Sequence, residues 1–227
     1  MKGFSGYFRL ILFTIICFSF QNINAQFSKT HYIPPIGTTG SGPSSPQTQH
    51  LYISTPNEIP FNVTINPIGG TPITVQVSNT NPYEYYVGAG TDTNFIAQST
   101  LSGQNLSDKG FIIEAEDLVY VSVRLFTSSQ LYQAGGIVSK GLAALGEEFR
   151  VGTFRNLGNL TGSQSQYLNF ISVLASQDNT TVNFSNFGNG VTLINNAATS
   201  NIQLNAGESY IITASPSANP DNAEGFI

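Results

Sequence analysis

From His50 onward, apolar and polar positions alternate in short runs rich in Thr, Val, Ile, Tyr and Phe, and clusters of Asn, Gly, Pro and Ser separate the runs. Strands and turns are written this way. The pattern predicts strands at TPITVQV (71–77), YEYYVG (83–88), QAGGIV (133–138), EFRVGTF (148–154) and ESYIITA (208–214), with VTLI leading to IQL across 191–204. In EFRVGTF, period-two geometry sets Phe149, Val151 and Thr153 on one face. No window of a dozen residues keeps an apolar face at i, i+3, i+4. The stretch 140–149 comes closest, but Gly141 and Gly146 weaken it as a helix interior. The chain reads as all-β.

Three stretches align with one another: LYISTPNEIPFNVTI from Leu51, FIIEAEDLVYVSVRL from Phe111 and FISVLASQDNTTVNF from Phe170. Each opens on apolar residues, passes a polar middle and closes on alternating apolar positions, with Ile65, Leu125 and Phe184 at equivalent places near the end. The starts at Leu51, Phe111 and Phe170 are almost evenly spaced, and the terminal Gly225-Phe226-Ile227 matches Gly110-Phe111-Ile112. A fixed period of this kind signals repeated supersecondary units. Units near 51–109, 110–168 and 169–224 are expected, each of four short antiparallel strands. The expected architecture is β-propeller-like, with tandem β-sandwiches as the alternative. Since the chain stops where a fourth unit opens, the 50–227 domain is expected to be incomplete at its C-terminus. Expressed alone, 26–227 is expected to aggregate or melt broadly through its unpaired edges.

Residues 1–25 read differently. Lys2 and Arg9 precede the apolar run LILFTIICFSF (10–20), and small Ala25 stands before Gln26. This is the layout of a secretory signal peptide, and so short a run falls short of the roughly 20 apolar residues that span a bilayer as a helix. Cys17 follows Ile16 within the run, which does not suit a lipoprotein. Cleavage after Ala25 removes the one cysteine, so the exported chain is expected to have no disulfide. Residues 26–36 form a leader, and GTTGSGPSSP (37–46) is a Gly/Ser/Pro linker, so the leader and linker are set at 26–49.

Composition narrows the function. Charged residues are only 9% of the chain, whereas Asn, Ser, Thr and Gln supply a far larger share of its polar surface. Cleavage takes Lys2 and Arg9 from the eight Lys and Arg, leaving six against thirteen Asp and Glu, a net charge of −7. Without clustered cations, neither nucleic acid nor an anionic membrane surface is an expected partner. The two histidines of the mature chain, His31 in the leader and His50 at the edge of the first strand, make no zinc set. His50 reads as a surface histidine rather than the base of a hydrolytic triad. Glu114, Glu116 and Asp117 are the densest acids; alternation puts the two glutamates on one face and Asp117 at a turn, a solvated group rather than a calcium loop. Asp178-Asn179 and Asp221-Asn222 read as turn residues capping backbone groups. Tyr83, Tyr85 and Tyr86 could stack on a sugar or peptide, although their alternation favours packing. Asn-x-Ser/Thr sequons start at Asn62, Asn105, Asn159 and Asn179, and a fifth at Asn183, a number near chance for this composition. No cofactor, metal or catalytic group is expected, and the ligand is unknown.

Several stretches carry a resemblance: LYISTP, DKGFIIEAEDLVYVSVR, GGIVSKGLAALGEEFRVGTF, FISVLASQDNTTVNF and IQLNAGESYII. Together they resemble the N-terminal domain of the IgGFc-binding protein family, in particular its bacterial branch at the front of large gliding-motility-associated surface proteins. The join of GLAALGEEFRVGTF to FISVLASQDNTTV is the most specific part. The resemblance implies a secreted or outer-surface adhesion module that recognises an extracellular protein or glycan and has no catalytic residues. It also implies that bacterial relatives continue into a C-terminal sorting domain of the type IX secretion route. The alternatives are a secreted hydrolase using paired carboxylates and a structural spacer.

Overall fold

The computed structural model describes residues 26–38, 48–126, 134–152, 169–188 and 191–214. Strands and short 3-10 turns make up the regular structure of these residues, in line with the all-β expectation. The organiser is β9 (Phe111–Phe126), sixteen residues long. Along one of its edges lie β4 (Phe61–Pro67) and β3 (Thr48–Ser54), end to end. Val63 to Pro67 pair with Ala115 to Phe111, and Thr48 to Ser54 pair with Phe126 to Tyr120. The other edge carries β1 (Phe27–Ile33) and β10 (Ala134–Val138). Beyond β4 and β3 lie β5 (Ile73–Val77) and β6 (Tyr83–Ala89).

The seven strands therefore form four rows, and every row except β9 is interrupted near its middle. In β1 the register shifts between Ser28 and Thr30; residues 55–60 separate β3 from β4, and 78–82 separate β5 from β6. The breaks line up, and the sheet curls there into a half-barrel. Pro56 and Pro60 explain the break between β3 and β4, because proline removes a ladder donor. β9 has neither Pro nor Gly between Phe111 and Phe126 and runs through.

Alternation places Leu51, Ile53, Val63, Ile65, Ile113, Val121 and Val123 on the inner face, where Phe61, Phe95 and Phe111 fill the curl. Each such side chain contributes about 1.5–3 kcal/mol through burial. Smaller sheets follow. β11 (Asn169–Leu174), β14 (Ser209–Ala214) and β8 (Asn105–Leu106) pair in that order, β12 (Thr180–Val182) pairs with β13 (Ile202–Leu204), and β2 (Ile36–Thr38) runs parallel to β7 (Ile96–Gln98). Tyr210, Ile212, Ile202 and Leu204 form their core, while Ile211 packs with Ala97 and Leu106 from the first part of the chain.

Several local expectations change. EFRVGTF is no strand over 148–152, and 153–154 lie outside the described residues. Its described residues are largely exposed, and alternation without a neighbouring strand leaves the backbone with no ladder to join. The leader supplies β1, and a boundary at residue 50 falls within β3. The segment Phe27–Ile33 finds a free edge of β9, which no local pattern discloses. Within 191–204 only Ile202–Leu204 is a strand; Ile194–Asn196 is a 3-10 turn with Asn195 and Asn196 at positive φ. The three aligned stretches also differ in form. The first and third are strand, break, strand; the second is unbroken and hydrogen-bonds to the first.

Candidate binding face

Odd and even positions along the strands divide the three tyrosines of YEYYVG. Tyr83 and Tyr85 point inward, and Tyr85 meets Phe111 edge-on at 6.0 Å. Tyr86 points outward and is 54% exposed. The register then aligns outer side chains across three strands: Tyr86, His50 and Arg124 form one row, and Glu84, Tyr52 and Ser122 the next. Phe126, opposite Thr48, closes the patch.

His50 is the hub of this patch. Its ring centroid lies 5.2 Å from Tyr86, 5.9 Å from Phe126 and 6.1 Å from Tyr52. Its Nδ1 is 2.6 Å from Glu84 Oε1, an ion pair when the imidazole is protonated. Partial burial, followed by the charge and hydrogen bond of Glu84, pushes the Tyr52 phenol above its ordinary value, and Arg124 opposes this. The expected surface histidine is thus half-buried, with aromatic rings and a carboxylate around it and no nucleophile paired to it among the described residues. Sequence reading missed Tyr52 and Phe126 as ring neighbours of His50 and Arg124 as the residue opposite it in the register. Alternation announces that they face outward, but only the register brings three distant stretches together.

The acidic group occupies the same sheet at its curl. Glu116 Oε2 accepts from the Asn62 backbone N–H at 3.0 Å, and Oε1 from the Asn62 side-chain amide at 2.9 Å. These two bonds hold its carboxyl below the usual range. Asn66 donates to Glu114 at 3.2 Å, and Asn57 donates to Asp117 Oδ2 at 2.8 Å. Asp117 lies within β9, not at a turn; its Oδ1 takes the Leu118 N–H at 2.8 Å. Each acid is met by an asparagine from the next row, so amide donors do the work that cations do on more charged surfaces. Glu114 and Glu116 stand about 7 Å apart by strand rise, within the span a paired-carboxylate hydrolase uses. Glu116 is held ionised, which suits the nucleophile or base of such a pair and not its general acid. No cluster of three or more His, Cys, Asp or Glu is placed to hold a metal among the described residues.

Asp178 Oδ1 accepts the Ala206 N–H at 3.0 Å, and Asn179 sits at φ 57°, as turn residues do. Asp221-Asn222 and the sequon at Asn159 lie outside the described residues. Asn105 Nδ2 donates to Gln203 O at 2.8 Å.

His31 takes a different role. It is fully buried, with Nε2 3.0 Å from Val119 O and 3.2 Å from Ser28 O, and Nδ1 2.9 Å from Ser139 Oγ. The carbonyls require N–H at Nε2, so Nδ1 accepts from the Ser139 hydroxyl; burial holds the ring below its ordinary pKa. Serine on imidazole is also the first contact of a hydrolytic dyad. Here carbonyls replace the orienting carboxylate, the ring has no exposed surface, and Gly141 N–H donates to the same Oγ at 3.3 Å. The contact is a latch joining β1 to the end of β10. Beside it a cleft of about 160 Å³ is lined by Tyr32, Pro34, Ile137, Ser139, Phe170 and Ser172.

Fold and face together define an all-β domain whose curled sheet carries aromatic and polar side chains on its outer side. Residues 137–225 match the family model described as IgGFc binding protein, a binding-type domain of surface or secreted proteins. The match begins within β10 and takes in β11, β12, β13 and β14; β2, β7, β8, LYISTP and DKGFIIEAEDLVYVSVR lie before it. No curated protein and no solved structure matches the chain. No helix among the described residues is long and apolar enough to cross a membrane.

Proposed function

We propose that this chain is an exported adhesion module without catalytic activity, the front part of a larger gliding-motility-associated surface protein. The observation that carries the reading is the family match over residues 137–225. Three features support it. Residues 1–25 have the layout of an export signal. The outer sheet surface is built from asparagine–carboxylate pairs and aromatic rings, which suit many modest hydrogen bonds to a partner. Within the matched residues Leu142, Leu145 and Phe149 are 54%, 42% and 61% exposed, as residues awaiting a partner are. The Fc ligand in the family's description is not assigned to this chain, because no residue set for it can be matched.

Expression of the full chain in a bacterial host tests the reading. The expected mature N-terminus is Gln26, in the extracellular fraction or on the cell surface. Immobilised mature protein is expected to retain a glycan, matrix protein or cell surface, with IgG Fc included as one arm. Retention in the cytosol with residues 1–25 intact, or hydrolysis of an offered polysaccharide or peptide, would overturn it.

A further inference from the structure

We infer that the outer face of β3, β6 and β9 is a binding site for a carboxylate-bearing saccharide, seated on Tyr86 and His50 with its carboxylate on Arg124; this rests on the reading of the chain as a binding module. Arg124, His50 and Tyr86 occupy one register row across three adjacent strands, spanning about 10 Å at the ordinary strand spacing. Tyr86 at 54% exposure offers an aromatic platform, with the largely buried His50 ring tilted by 52° beside it. The C–H face of a pyranose packs on such a platform, which needs an apolar body with polar edges.

Arg124 supplies the charge. It is exposed, and among the described residues the ion pairs are His50–Glu84 and Lys109–Asp92, neither of which uses it. Glu84, the nearest acid on the face, is held by His50 and Tyr52 in the adjacent row. Room for the guanidinium comes from Gly136, directly opposite Arg124 on β10, where an added Cβ would collide with Nη1. The planar fork of arginine matches a carboxylate bidentately, and Glu84 and Tyr52 remain as acceptors for sugar hydroxyls. A peptide of acidic residues alone would satisfy Arg124 but would leave the aromatic row with no apolar body to pack on it.

The test uses the full mature chain on immobilised polygalacturonate, on the same polymer with its carboxylates methyl-esterified, and on polyglutamate. Wild type is expected to bind polygalacturonate, and esterification is expected to weaken binding at least tenfold. Arg124→Ala and Tyr86→Ala are each expected to lose at least tenfold as well. Gly136→Ala keeps every charge and ring but displaces the guanidinium, so a loss of severalfold with an unchanged thermal melt separates this site from a folding defect. Equal binding to the esterified polymer or to polyglutamate, or indifference to Arg124→Ala, overturns the proposal. So does no binding to polygalacturonate. Retention of another surface independently of Arg124 and Tyr86 keeps the binding-module reading and removes this site; retention of no surface removes both.

Discussion

Replacing His31 with alanine tests how the leader is held. The imidazole shares one N–H between Val119 O and Ser28 O and accepts the Ser139 hydroxyl. Alanine abolishes these bonds, leaves their partners unsatisfied and opens a void in a fully buried position. At about 1 kcal/mol per hydrogen bond plus the cavity term, the expected loss is about 3–4 kcal/mol. The ring's lowered pKa adds a pH signature. Below the ordinary value of about 6.5 the unfolded chain binds a proton that the folded ring resists, so stability falls as pH falls. The fall continues down to the folded pKa, at up to about 1.4 kcal/mol per pH unit. Urea midpoints at pH 7.5, 6 and 5 measure it, in a His50→Gln background so that the other histidine does not contribute. Amide exchange should speed up first in β1 and the facing half of β9. An unchanged midpoint in His31→Ala, or the same pH slope with and without His31, would refute the latch.

Three smaller effects follow from the same reasoning. Asn62→Ala removes the side-chain donor to Glu116 and keeps the backbone one. The Glu116 carboxyl should therefore titrate closer to its ordinary value by NMR, and the small stabilisation it gives above that value, lost as pH falls through the folded pKa, should shrink. Gly110, at φ 112° with Ile33 O only 2.9 Å from where a Cβ would sit, should cost about 2 kcal/mol when changed to alanine, read from thermal melts. Tyr210→Phe should cost about 1 kcal/mol, because the hydroxyl donates to Ala198 O at 2.9 Å beneath the smaller core.

Period-two alternation was enough to mark TPITVQV, YEYYVG and ESYIITA as strands and to set Glu114 with Glu116 on one face; packing was expected of Tyr83, Tyr85 and Tyr86 alike, and Tyr86 instead faces outward. These are local consequences of backbone geometry and are written in consecutive residues. EFRVGTF shows the limit of that reading, since alternation states which side a residue would take in a sheet and says nothing about whether a neighbouring strand exists. The leader shows the converse, with Phe27 to Ile33, a segment of unremarkable pattern, completing the sheet because β9 has an edge to offer.

The linear chain thus determined the all-β class and which face of each strand is apolar, because both follow from side-chain period and from the placement of Pro, Gly and Asn. Tertiary structure alone decided that one long strand would carry four partners, that His31 would be buried and His50 would sit among aromatic rings, and that Arg124 would lie in Tyr86's row without a carboxylate. Cross-strand register is set by the packing of all rows at once, and residues 50, 86 and 124 become neighbours only when that packing is complete.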